Sequence, residues 1–351
     1  MIFNEKVCIC GGGNIGHSLV AVLGRHSDVR ILTRRPQAWS ERLRFQISDR
    51  RCEETGGRVI ACDKESIISI CSLIIVALPR FVIEETLSRL EPHLHEGQTV
   101  VFIPAPAGME TIVERMAQRG VEVIGFQRVP YIARIKEYGK FVWMGDLRSE
   151  SKVAVSNPMR KDYWKEYFAG SIGGTVSFLS SFLSFTFSNS NPLLHPARLV
   201  ELLRNKKGYQ ECPYFYREWG DEASKLYVSA DIEMRDVFAV YSSEAMDSDY
   251  ESALAHYNVG SVSCLAEKIR SIKALGSILA PYTKGNDGFW HPDLRSRYFT
   301  EDVPYGTKVI QKYAKRVGVP TPTVDFLIDS VMHQMQSGEW LIEERYGEAE
   351  R

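Results

Sequence analysis

Residues Lys6 to Gly16 read Lys-Val-Cys-Ile-Cys-Gly-Gly-Gly-Asn-Ile-Gly. An apolar run of strand character passes directly into the spacing Gly11-x-Gly13-x-x-Gly16, and Ile15, Leu19, Val22 and Leu23 then repeat at helical spacing on one face. Strand, glycine turn and helix in this order form a dinucleotide-binding corner. Gly11 permits the tight turn, Gly13 lets the backbone approach a pyrophosphate, and Gly16 lets helix and strand pack closely. The helix N-terminus then faces the phosphates, with Asn14 and Ile15 of its first turn among the expected cofactor contacts.

Moving outward, the next strand, Val29 to Leu32, ends in Thr33-Arg34-Arg35. A carboxylate in this place would accept a hydrogen bond from the ribose 2′-hydroxyl of NAD(H). A hydroxyl and two guanidinium groups suit a 2′-phosphate instead, because arginine offers a planar, bidentate and permanently charged partner. NADP(H) is therefore the expected cofactor and NAD(H) the alternative. Leu78 and Pro79, closing a later strand at the carboxyl edge of the sheet, complete the expected cofactor residues, and Pro104 ends another strand at the same edge.

The 351 residues suffice for two domains, and 44% hydrophobic with 25% charged residues is an ordinary globular balance. A net charge of -1 provides no long-range field for nucleic acid or an anionic membrane, so small molecules are the expected partners. Seven cysteines, an odd number in a long chain, suit free thiols in a reducing cytoplasm better than a disulfide framework. A first strand beginning near Lys6 leaves no room for a signal peptide. Ile67 to Leu78 is too short to span a membrane, and Thr175 to Phe187 is interrupted by hydroxyl residues. No metal site is expected: Cys8-x-Cys10 has no second pair, and His93-x-His95 closes an amphipathic helix.

Apolar runs at Arg58 to Ala61, Leu73 to Leu78, Thr99 to Ile103 and Val121 to Phe126 alternate with helical patterns, which predicts a parallel sheet covered on both faces. Beyond about Ser180 helical periodicity takes over, through Ala223 to Tyr241, Ser261 to Leu279, Thr307 to Val317 and Val324 to Met335. The expected fold is an α/β, Rossmann-type doubly wound domain over residues 1–183 followed by an all-α domain over 184–351.

Arg297 to Gly306 (Arg-Tyr-Phe-Thr-Glu-Asp-Val-Pro-Tyr-Gly) lies downstream of Asn191 to Pro196 (Asn-Pro-Leu-Leu-His-Pro). Together with Val129-Pro130-Tyr131 leading to Arg134, and with Gly318 to Pro322, these segments resemble the octopine/nopaline (opine) dehydrogenases over nearly the whole chain. The resemblance implies an NAD(P)H-dependent enzyme that condenses an α-keto acid with an amino group and reduces the imine to a secondary amine. It implies a helical second domain like the C-terminal domain of 6-phosphogluconate dehydrogenase, and leaves a homodimer open. His195 and Asp302 would form a proton relay, Arg297 would hold a substrate carboxylate beside them, and Asn191 and Arg134 would contact substrate. The chain departs from the family in Ala197 after the His-Pro pair and in Ala133 before Arg134.

The residue chemistry agrees. Reduction of C=N or C=O needs a donor whose pKa lies near working pH, and histidine is that donor. A carboxylate on its far nitrogen would orient it, and Asp302 or Glu301 can do so. Arginine's fork suits a keto-acid carboxylate, and Arg295 is a second candidate beside Arg297. Asn189 and Asn191 serve equally well as ligands or helix caps. The aromatic stretch Tyr209, Tyr214, Phe215, Tyr216 and Trp219 is read as loop packing, with the lining of a substrate pocket as the alternative. Two rival functions share these features: a ketopantoate- or glycerol-3-phosphate-type reductase that needs no amine, and a non-catalytic NADP(H) sensor.

Overall fold

The strand leading into the glycine turn, β1 (Val7–Cys10), is buried at every residue, as a strand covered on both faces must be. It turns at Gly11, whose φ of 123° suits glycine and few other residues, into α1 (Asn14–Leu23). There follow β2 (Val29–Leu32), β3 (Arg44–Ile47), β4 (Glu53–Glu54), β5 (Val59–Cys62), β6 (Leu73–Val76), α2 (Arg80–Leu90), β7 (Thr99–Phe102), α3 (Glu110–Ala117) and β8 (Glu122–Phe126). Then come β9 (Ala133–Glu137), β10 (Phe141–Met144), β11 (Glu150–Val155), α4 (Lys161–Ser171) and β12 (Thr175–Phe178). The structure is a computed structural model describing residues 5–242 and 250–337. The chain divides into two compact units, the first ending at Phe185 and the second beginning at Thr186.

Eight strands of the first unit form one sheet in the order β12-β11-β8-β7-β6-β1-β2-β5. From β8 to β5 every pair is parallel, with Val7 of β1 opposite Val29 on one side and Leu73 on the other. The chain winds outward from β1 in both directions, so the crevice of a doubly wound sheet opens at the carboxyl end of β1. Alternate residues serve the two faces: Val7 and Ile9 join one core with Leu19, Phe126 and Trp164, while Cys8 and Cys10 join the other with Ile74 and Phe102.

Two features lie outside the sequence expectation. The sheet is mixed at one edge, where β11 runs antiparallel to β8. A second sheet, ordered β4-β3-β10-β9, packs beside α1. Its strands are short, and several of their side chains, such as Glu53, Arg134 and Lys136, are exposed and charged. Apart from Phe141–Met144 of β10, they lack the continuous apolar runs that disclosed the main sheet.

The second unit is built from α6 (Asn191–Leu203), α7 (Asp221–Tyr241), α8 (Ala253–His256), α9 (Val262–Arg270), a π-helix (Tyr298–Thr307), α10 (Lys308–Val317) and α11 (Pro322–Ser337), while α5 (Leu183–Phe187) spans the boundary. Helix α6 is apolar and buried nearly all round, which makes it the centre of the bundle, against α7, α11 and the π-helix. A short ribbon of β13 (Tyr282–Lys284) and β14 (Trp290–Pro292) interrupts the helical pattern. Of the expected helix Ser261 to Leu279, the α-helical part ends at Arg270. Residues 243–249 and 338–351 of the expected second domain lie outside the described residues.

Candidate active site

In the first unit a cavity of about 550 Å³ opens at the carboxyl ends of β1, β2 and β6. Gly11, Gly13, Thr33, Arg34 and Arg35 line it, joined by Leu78 and Pro79. A Cβ on Gly13 would meet nothing within 4 Å, so the backbone there is open to a ligand. Helix α1 begins at this glycine without a capping side chain or an acid in its first turn, leaving its N-terminal N–H groups and positive dipole end for an anion. These residues fit the pyrophosphate of a dinucleotide.

The other expected cofactor residues support the turn rather than line the cavity. Asn14 Oδ1 accepts the backbone N–H of Ile135 at 2.8 Å, tying α1 to β9. Ile15 packs against the core. A Cβ on Gly16 would lie 1.8 Å from the carbonyl oxygen of Gly11, so this glycine lets the helix touch the turn itself.

Two kinds of cavity residue escaped the sequence reading. Tyr138, from the β9–β10 turn, lines the cavity with its hydroxyl 3.0 Å from Thr33 Oγ1 and its ring 3.8 Å beneath the Arg35 guanidinium. Asp63 and Glu65, just after β5, bring carboxylates to a pocket where β2 offers none. Glu65 is paired with Arg89 at 3.5 Å.

The second unit holds His195 on α6, 8% exposed. Its Nδ1 lies 2.8 Å from Asp302 Oδ2 and its Nε2 lies 3.0 Å from the Tyr216 hydroxyl. A carboxylate only accepts, which assigns the proton to Nδ1. Nε2 then accepts from the phenol when the ring is neutral and donates when it is charged. Phe215 and Tyr298 flank the imidazole with centroids at 5.5 and 4.6 Å. Burial pushes the Tyr216 hydroxyl well above its ordinary range, and Tyr298 beside it adds to the effect. Burial and then the Asp302 carboxylate raise Tyr298 too. Both phenols keep their protons at neutral pH.

Local chemistry explains how these groups meet. Pro196 has no N–H, so the Pro192 carbonyl one turn earlier has no helical donor; the Thr307 hydroxyl donates to it at 2.5 Å. The π-helix that carries Asp302 encloses Pro304, and its Gly306 packs so tightly on α6 that a Cβ would stand 2.7 Å from Pro192 Cγ. Tyr216 is held from the other side. The buried Arg198 donates to the carbonyls of Phe215 at 2.9 Å and Tyr214 at 3.1 Å and pairs with Glu201. Glu201 in turn accepts from the N–H groups of Gly220 and Ala223 at the start of α7.

The remaining sequence candidates are dispersed. Arg297 is exposed and pairs with Glu301, so Glu301 is engaged by an arginine and Asp302 by the histidine. Arg295 lies 4.0 Å from Asp293. Asn191, at the start of α6, donates its backbone N–H to Asn189 Oδ1 at 3.2 Å, a turn-shaping role for Asn189, and the N-cap itself is Ser190. Arg134 is exposed on β9 and donates to its neighbour's carbonyl, Ala133, at 2.9 Å. Among the described residues no cluster of metal-binding side chains occurs, and no helix is long and apolar enough to cross a membrane. The aromatic stretch divides: Phe215 and Trp219 are buried packing, whereas Tyr216 carries the hydroxyl on His195. Nothing in its spacing distinguished it.

A Rossmann-type unit with a dinucleotide cavity, together with a helical unit holding a His–Asp pair, defines an NAD(P)-dependent oxidoreductase. The helical unit is that of the octopine/nopaline (opine) dehydrogenase family. The family described as NAD/NADP octopine/nopaline dehydrogenase, alpha-helical domain, matches residues 178–335, and that described as NADP oxidoreductase coenzyme F420-dependent matches residues 6–106. Octopine dehydrogenase of Pecten maximus is 25% identical over 92% of this chain and 88% of its own. A solved octopine dehydrogenase with NADH and L-arginine is similar with a TM-score of 0.83, 22% identity and coverage of 95% of this chain and 90% of that one. One with NADH and pyruvate gives 0.82, 23%, 95% and 89%.

Proposed function

We propose that the protein condenses an α-keto acid with the amino group of an amino acid or amine and reduces the resulting imine, using NADP(H) in preference to NAD(H). The relatives crystallised with pyruvate and with L-arginine support the substrate classes. Thr33, Arg34 and Arg35 on the cavity wall support the cofactor preference. The observation that carries the reaction is the imidazole of His195 held by Asp302 at Nδ1 while Nε2 faces a phenol.

When bound, the dinucleotide supplies the hydride that reduces the C=N carbon. His195 as imidazolium gives the Nε2 proton to the imine nitrogen and is left neutral, while Asp302 stays ionised and keeps the ring aimed. Keto acid and amine lose one water on condensation, and the product is a secondary amine dicarboxylate when the amine is an amino acid. Tyr216 holds Nε2 in the resting site, and the substrate nitrogen takes over that contact. Arg297 offers its fork to the keto-acid carboxylate by exchanging it for Glu301, with Arg134 and Asn191 as further substrate contacts.

The test is a matrix of keto acids against amines followed by NADPH absorbance. Oxidation that requires both partners is expected. Oxidation with keto acid alone would assign a simple reductase, and cofactor binding without turnover across the matrix would assign a sensor.

A further inference from the structure

We propose that Tyr138, carried onto the nucleotide cavity by the β9–β10 turn and held there by His17, is a specificity-determining residue for the cofactor's 2′-phosphate, its ring being the platform that sets Arg35. The proposal rests on the NADP(H) reading of the cavity and adds residues from a second sheet to it.

His17 follows the third glycine of the turn and is completely buried. Its Nδ1 lies 2.9 Å from the Gly13 carbonyl oxygen and its Nε2 lies 2.8 Å from the Gly139 nitrogen. A carbonyl can only accept and a backbone N–H can only donate. One form satisfies both: neutral, with the proton on Nδ1 and the lone pair on Nε2. The ring lies tilted against Trp39 with centroids 4.3 Å apart and makes an edge contact with Tyr138 at 5.1 Å. Burial lowers its pKa to about 4, with the Arg35 charge acting in the same direction against the Gly13 bond, so the tie holds at neutral pH. His17 thus binds the phosphate loop to the residue next to Tyr138.

Two glycines are shaped to the same contact. A Cβ on Gly12, the middle residue of the glycine triplet, would stand 2.4 Å from the Tyr138 hydroxyl and 2.9 Å from Thr33 Oγ1. Gly139 has φ of 71°, and a Cβ there would stand 2.2 Å from the Ala38 carbonyl. Gly12 makes room for the phenol, and Gly139 lets the turn reach it.

What the phenol does follows from Arg35. With one face of the guanidinium stacked on the ring at 3.8 Å, its in-plane N–H edges remain available, and its backbone N–H donates to Thr33 Oγ1 at 3.4 Å. A phosphate arriving at the end of β2 finds this arginine already ordered, so less side-chain entropy is lost on binding. A ribose hydroxyl in the same place has no comparable use for it.

Dissociation constants for NADPH and NADH, by titration of nucleotide fluorescence on the full chain, test the proposal. Tyr138→Leu is expected to weaken NADPH about five- to tenfold, the range of a partly desolvated cation–π contact, and NADH less than about twofold. Tyr138→Phe, which keeps the ring, is expected to retain the preference. Because Tyr138 acts through Arg35, adding Tyr138→Leu to Arg35→Ala should weaken NADPH no further, whereas a merely structural tyrosine would add its own loss. His17→Leu, with its melting temperature followed alongside, should shift the NADPH/NADH ratio in the same direction. Equal loss of both nucleotides in Tyr138→Leu, no loss of either, or an unmodified protein that binds both alike would overturn it. A protein that shows the selectivity pattern and yet turns over no keto acid–amine pair would instead remove the proposed reaction and leave this inference standing.

Discussion

The Thr307 hydroxyl donates to the Pro192 carbonyl at 2.5 Å, joining the segment that carries Asp302 to the helix that carries His195. The bond exists because Pro196 cannot supply the helical N–H that this carbonyl would otherwise accept. Removing it leaves a buried carbonyl without a donor, which costs about 1–3 kcal/mol. Thr307→Val is therefore expected to lower stability by that amount in urea unfolding and to reduce turnover while sparing nucleotide affinity. Thr307→Ser, which keeps the hydroxyl, should restore both. A valine variant with unchanged stability and turnover would show that the two segments are held together otherwise.

Gly13 and Gly16 are expected to respond to alanine in opposite ways. At Gly16 the new methyl would collide with the Gly11 carbonyl at 1.8 Å, so the turn must shift and the protein should melt earlier. At Gly13 the methyl meets no protein atom within 4 Å, so the melting temperature should be unchanged while nucleotide binding is lost. Undiminished binding by Gly13→Ala would argue against a pyrophosphate lying over that residue.

His17 makes stability depend on pH. In the unfolded chain its ring takes up a proton below the ordinary value of 6.5, but in the folded protein only below about 4. Between these limits the unfolded state binds more protons, so stability falls on acidification from about 6.5 and the loss is complete near 4. The shift corresponds to about 3 kcal/mol. Urea midpoints measured from pH 7 to 4.5 should fall more steeply for the unmodified protein than for His17→Leu; parallel slopes would contradict the buried neutral ring.

Arg198 is expected to resist conservative replacement. Its guanidinium reaches two carbonyls of the loop before Tyr216 and the Glu201 carboxylate together. An ammonium cannot span all three. Arg198→Lys should lower turnover with NADPH affinity unchanged, and hydrogen exchange should rise in residues 214–216. Normal exchange there would show that the loop does not depend on Arg198.

How far these sites were legible in the sequence follows from the distance over which each is built. The cofactor corner was legible because strand, glycine turn and helix are consecutive, and His195 and Asp302 because they sit in two segments that resemble one family. Whether Asp302 or Glu301 faces the histidine was not, since one step along a helix turns a side chain by about 100° and the π-helix alters that step. Tyr138 went unnoticed, and Tyr216 stood undistinguished within its aromatic stretch, for a different reason. Each acts through a hydroxyl or ring brought to its partner by chain folding, Tyr138 meeting Thr33 across 105 residues and Tyr216 meeting His195 across 21. The second sheet, short-stranded and partly exposed, offered a single apolar run, Phe141–Met144, with no alternating helix to mark it as part of a sheet.

The central claim is that His195 and Asp302 act as one proton-delivering unit, and a double-mutant cycle on turnover tests it most directly. With saturating NADPH, keto acid and amine, His195→Ala is expected to lose about a hundred- to ten-thousandfold in kcat while its NADPH dissociation constant stays unchanged. Asp302→Ala should lose a large part of the same factor, and the double variant should be scarcely slower than His195→Ala alone, because Asp302 works only through the imidazole. Multiplying losses in the double variant, or a His195→Ala protein of near-normal kcat, would contradict the account.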